Sequence, residues 1–170
     1  MFRIVLAFFC ALVLNIPFTA FAEDISYPTG PVLLTVSGEI SVVNQPDTAL
    51  FDLAMLQSLP SRTITTTTIW TDGIQVFEGF PLQALVEKLG IEGGILRMVA
   101  KNDYAIEFPV HEIEPEAPVI AYFRNGSEMS VRDKGPLWLV YPYDSSLDYQ
   151  TEVVFNRSIW QLDRIIVLYE

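Results

Sequence analysis

Few residues in this chain have the chemistry of a nucleophile, a base or a metal ligand. There is one histidine and one cysteine in 170 residues. His111 lies in VHEIEPE, where Glu112, Glu114 and Glu116 recur two apart, a spacing that puts them on one side only if the segment is extended. A lone histidine without a thiolate falls short of a transition-metal ligand set. Nothing beside the glutamates would hold two carboxyl pKa values apart, as acid–base chemistry on a glycoside requires, so they read as a solvated strand edge or loop. A more unusual stretch is TTTTIWTDGIQVFEGFPL, from Thr65 to Leu82. It sets hydroxyls and an indole directly before an Asp-Gly turn pair, Asp72 and Gly73. The two N-x-S sequons, at Asn125 and Asn156, carry no function without a glycosylating host.

The N-terminus must be trimmed before the rest is read. Arg3, the apolar run IVLAFFCALVL and the small-x-small end Ala20-Phe21-Ala22 read as a secretory signal peptide over residues 1–22. The apolar core is too short for a spanning helix, so no membrane insertion is expected after cleavage. Cleavage leaves residues 23–170, one ordinary domain able to bury roughly 70% of its unfolded surface. Cys10 leaves with the signal, so the mature chain has no thiol, disulfide or cysteine metal ligand. Loss of Arg3 leaves nine basic residues against 21 acidic ones. That balance repels nucleic acid and anionic lipid, and neither is an expected partner.

The elements that must position any site are mostly strands. PVLLTVSGEI is a strand closed by Gly38. DTALFDLAMLQSLP reads as a helix with Asp47 as its N-cap, stopped by Pro60. RTITTTTIW is β-branched almost throughout and prefers to be extended. FEGFPLQALVEKLG is a helix with Pro81 at its start and Gly90 past its end. ILRMVAKND and YAIEFPV are two strands joined at Asn102-Asp103, and Asn125-Gly126 marks a hairpin. KGPLWLVYPYD is a buried strand and RIIVLYE the last one. Many strands with two short helices make a β-rich α+β domain, with no interior linker and no second domain.

Three phrases recur in a known order: WTDG…FEGFPL (Trp70 to Leu82), GPLWLVYP (Gly135 to Pro142) and WQLDRI (Trp160 to Ile165). Together they resemble the molybdopterin-binding domain of the sulfite oxidase family across nearly all of the mature chain. The resemblance implies a β-rich α+β sulfite oxidase-like fold and a pterin pocket lined by the loops around these motifs. In catalytic members of that family a cysteine four residues before the tryptophan binds molybdenum, and here that position is Thr66. A threonine alcohol stays protonated and binds metal weakly where thiolate is a soft, ionised donor. The resemblance is therefore closer to the cysteine-less, exported pterin-binding members, which act in the periplasm on a membrane-bound cyclic-di-GMP enzyme. A molybdopterin-dependent oxidoreductase is the second reading, and a structural interaction domain without ligand the third.

On that resemblance the ligand is a free pterin, with molybdopterin less favoured and no metal or catalytic residue. A pterin needs an aromatic platform, a carboxylate for its two nitrogen donors, and donors for its carbonyl. The candidate platforms are Trp70, Tyr104, Tyr141, Tyr143 and Trp160. Asp72 is the candidate edge carboxylate, and Arg132, Lys134 and Arg157 are candidate donors to a carbonyl or anionic tail. Thr66 completes the set as the residue in the ligand position. The expected protein partner is a membrane-bound signalling protein, met through its exported domain.

Overall fold

The computed structural model describes residues 25–169, so the signal-peptide reading of residues 1–22 lies outside the described residues. Leu34–Gly38 (β1) and Thr48–Phe51 (β2) open the chain as an antiparallel pair, Leu34 opposite Phe51. The expected helix begins only after β2, as Leu53–Gln57 (α1). Its N-cap is Asp52, whose carboxylate accepts from Met55 N–H at 2.9 Å and from the Thr29 and Gly30 N–H groups at 2.8 Å. Asp47 stands instead in the turn before β2, with φ +58°. An aspartate precedes each half of the apolar run, and pairing of Thr48–Phe51 with β1 claimed the first half for the sheet.

Arg62–Thr68 (β3) and Thr71–Pro81 (β4) form a hairpin closed by Ile69 and Trp70, with Thr68 opposite Thr71. Thr63, Thr65 and Thr67 face out, whereas Ile64 and Thr66 are buried, the two-residue period of a half-covered strand. β4 bulges between Thr71 and Gln75. The Gln75 amide fills the bulge, donating to the Asp72 carbonyl at 2.8 Å and accepting from Asn125 Nδ2 at 3.0 Å. Leu82–Lys88 (α2) follows β4, burying Leu82, Leu85 and Val86. Gly90 takes φ +62° just past its end, as a helix-stopping glycine does.

Ile95–Ala100 (β5) and Ala105–Pro109 (β6) pair across the Asn102-Asp103 turn. Val119–Arg124 (β7) and Ser127–Glu128 (β8) join through Asn125 (φ +53°) and Gly126 (φ +79°), the backbone that an Asn-Gly hairpin turn requires. Leu137–Val140 (β9), Glu152–Arg157 (α3) and Trp160–Leu168 (β10) complete the chain. The described strands form one sheet in the order β2-β1-β10-β9-β7-β4-β3, with β5 on β10, β6 on β5 and β8 on β7. Strand β10 meets β5 along Leu162–Leu168, β9 at Trp160 and Leu162, and β1 in parallel at Arg164–Val167. The molecule is thus a β-rich α+β domain, with a third short helix, α3, beyond the two expected.

Both faces of the sheet are covered where β7 and β9 run. On β9, Leu137 and Leu139 join the larger core while Trp138 and Val140 join a smaller one with Ile64 and Phe77. Burial on both faces explains why LWLV reads as an unbroken apolar run without alternation. At Gly79 the backbones of β4 and β7 touch, and a Cβ there would stand 2.0 Å from the Ile120 carbonyl oxygen. Trp70 packs against both cores, which puts the β3–β4 hairpin tip at the junction between them.

Candidate functional site

A cavity of about 440 Å³ opens beside that hairpin tip. Ile69 and Trp70 form one wall. The end of β5 and the turn after it supply Ala100, Asn102 and Tyr104. The opposite side comes from α3 and its exit, with Phe155, Asn156, Ser158 and Ile159, and Trp160 of β10 closes it. The pairing of Leu162 with both Ala100 and Leu137 is what draws these segments together. At the mouth, Ile69 and Tyr104 are 65% and 54% exposed.

The rings around the cavity form a connected aromatic cluster. Trp70 meets Trp160 at 5.7 Å, Phe155 at 5.8 Å, Trp138 at 5.9 Å and Tyr143 at 6.0 Å between centroids, all edge-to-face. These are the favourable geometries for aromatic pairs. Tyr143 is buried behind the cavity, its hydroxyl donating to Ser158 Oγ at 2.7 Å, and burial pushes its phenol up to about 12. Ser158 Oγ donates in turn to the Val154 carbonyl at 2.8 Å, so the seryl group on the wall is already committed. The amides are less so. Asn102 Oδ1 accepts from Tyr104 N–H at 3.2 Å, which leaves its NH2 group to donate elsewhere. Asn156 is exposed on α3, facing the same space.

Of the residues singled out by sequence, the fold gathers Trp70, Tyr104 and Trp160 on this cavity. Lys134 touches it indirectly, its ammonium 4.8 Å from the Trp160 ring centre and 5.7 Å from that of Trp138. Arg157 lies between two lining residues but turns away, pairing with Glu112 at 2.6 Å and stacking on Phe108 at 4.5 Å. Tyr141 is buried beyond Tyr143, between it and Tyr149, and does not line the cavity; burial raises its phenol well above the usual range. Asp72 is exposed in the β4 bulge and Arg132 is exposed in the turn before β9; neither lines the cavity.

Thr66 has a different task. Its side chain is 1% exposed, and its hydroxyl donates to the Thr67 carbonyl and accepts from Asp144 N–H, both at 3.1 Å. Asp144 reaches back to Thr67, accepting from its hydroxyl at 2.7 Å and its N–H at 2.6 Å. Those bonds from Thr67 hold the Asp144 carboxyl below the usual carboxylate range. The threonines therefore clamp the Tyr143–Ser145 turn onto β3. The Thr66 oxygen faces that turn, away from the cavity, so the residues present do not fit a molybdenum centre held from this position.

The glutamate row is structural as well. Glu112 pairs with Arg157, Glu114 accepts from the Tyr149 hydroxyl at 2.5 Å, and Glu116 meets Arg62 at 2.9 Å. The hydrogen bond to the Glu114 carboxylate pushes the Tyr149 phenol up to about 12. Sequence reasoning missed Phe155 and Asn156 because α3 was not foreseen. The signal was present in Thr151, whose hydroxyl caps Val154 N–H at 3.3 Å, followed by Glu152 in the first turn and Arg157 in the last. No protein-family model matches this chain, and no curated protein matches it.

Proposed function

We propose that this chain is a pterin-binding domain of sulfite oxidase-like fold that carries out no redox chemistry of its own. The observation that supports this reading best is the cavity beside Trp70. It has the volume of a small-molecule site, its walls are the rings of Trp70, Phe155, Trp160 and Tyr104, and amides stand at its edge. A flat bicycle can stack on such rings while an amide meets its lactam edge, since an amide offers both donors and an acceptor. The ring contacts would supply affinity and the amides orientation. The edge group is then Asn102 or Asn156 rather than Asp72.

In this reading the protein is exported, acts in the periplasm, and reports pterin occupancy to a membrane-bound cyclic-di-GMP enzyme through that enzyme's exported domain. The ligand would be largely enclosed, so the partner reads the rim of exposed Ile69 and Tyr104 or a change in the loops that carry them. Two experiments test the reading. Protein purified from the exported fraction of its host should release a fluorescent pterin on denaturation, and a partner should be recovered from membranes more strongly with pterin than without. Release of no pterin, with no binding of added pterin, would remove the function. Equal recovery of the partner in both conditions would leave a binding protein and remove the relay.

A further inference from the structure

Charged and uncharged residues alternate along the segments that build the cavity, and only the uncharged ones line it. In the run from Ala100 to Tyr104, Ala100, Asn102 and Tyr104 face the space while Lys101 and Asp103 do not. Lys101 lies 3.7 Å from Asp163, and Asp103 is 2.7 Å from Arg164. Arg164 is held from a second side by Asp163 at 3.0 Å. In the run from Asn156 to Ser158 the pattern repeats. Asn156 and Ser158 line the cavity and Arg157 turns to Glu112. Every described side chain on the wall is thus uncharged, Tyr104 being the sole titratable one, in a chain whose formal net charge is −11.

We infer that the cavity selects an uncharged planar heterocycle and excludes its phosphorylated form. This rests on the proposed function for the pterin itself, but the charge preference follows from the wall whatever the heterocycle. A phosphate carried into this space loses water and gains only amides and hydroxyls in return, and an unpaired buried charge is costly. The cations nearby are engaged by Asp163, Asp103 and Glu112, and Lys134 rests on Trp160 outside the lining. Recruiting Lys101, Arg157 or Arg164 means breaking an ion pair, and recruiting Lys134 means lifting its ammonium off the Trp160 ring. Recognition falls to Asn102 and Asn156, and the two amides act as the specificity-determining residues.

The three tryptophans form one cluster at the cavity, so their fluorescence reports its occupancy. The full mature chain is titrated with hydroxymethylpterin and its phosphate ester, and with guanosine and its monophosphate. The unphosphorylated member of a pair should bind at least about tenfold tighter. If only the guanosine pair behaves so, the pterin reading fails and the charge selection stands. A preference below tenfold in every pair that binds overturns the selection and leaves the pterin reading in place. No quenching by any of the four overturns both. Asn156→Lys, on the exposed face of a short helix, puts a cation on the wall. It should improve the affinity for the phosphate ester relative to the unphosphorylated ligand by at least about fivefold, and an unchanged ratio would overturn the inference.

Discussion

Trp70→Ala tests whether the hairpin tip holds the two cores together. Four rings meet Trp70 edge-on, with centroids between 5.7 and 6.0 Å. Each such pair is worth about 0.5–1.5 kcal/mol beyond the area it buries. A wholly buried tryptophan costs about 3–5 kcal/mol when cut to alanine. Trp70 is only partly buried, and the contacts are not additive, so the lower end applies: about 3 kcal/mol. For a domain of this size each kilocalorie lowers the melting temperature by about 2–4 °C, giving a fall of about 6–12 °C. Thermal unfolding followed by far-ultraviolet circular dichroism measures it directly. Trp70→Phe keeps a ring against Phe155 and Tyr143 and should lose about 1 kcal/mol. If Trp70→Ala melts within about 2 °C of the parent, the hairpin tip is not a structural hub and the cavity wall it forms is not rigid.

Thr66→Val removes the hydroxyl that bonds Asp144 N–H and the Thr67 carbonyl, and urea unfolding should show a loss of about 1–2 kcal/mol. Gly79→Ala drives a methyl group into the Ile120 carbonyl and should cost about 1–3 kcal/mol by the same assay, whereas alanine at open Gly93 should change little. The carboxyls of Asp144 and Asp52 lie below their ordinary value of 3.8 in the folded state, the first through Thr67 and the second chiefly through Met55 N–H. Their stabilisation is complete above that unfolded value and is lost as pH falls through the lower folded one. Melting temperature should therefore fall as pH drops below that ordinary value, and fall less in Asp144→Asn; identical slopes would contradict the Thr67–Asp144 clamp.

The strands were legible because their residues carry local preferences that the tertiary structure reinforces. Arg62–Thr68 is β-branched, and Asn125-Gly126 supplies the left-handed backbone of its turn. The start of the first helix was not legible locally. Asp47 and Asp52 are equivalent as caps in sequence, and only the pairing of Phe51 with Leu34 decides between them. The site was legible in part. Trp70, Tyr104 and Trp160 meet at one cavity because β10 lies between β5 and β9, a contact between residues some sixty positions apart. Which side each loop residue faces follows from that long-range register. Arg157 therefore reads in sequence as available as its uncharged neighbours, and Phe155 and Asn156 do not stand out as site residues.

Isothermal titration of the mature chain with an unphosphorylated pterin tests the central claim most directly. One saturable event per chain is expected, with affinity between nanomolar and micromolar, about −8 to −12 kcal/mol. Tyr104→Ala, at a residue 54% exposed on the cavity mouth, should weaken it by about 1–3 kcal/mol if the ring stacks on the ligand, with the melting temperature unchanged. An absence of saturable heat, or equal affinity in parent and Tyr104→Ala, would contradict the assignment of this cavity as the pterin site.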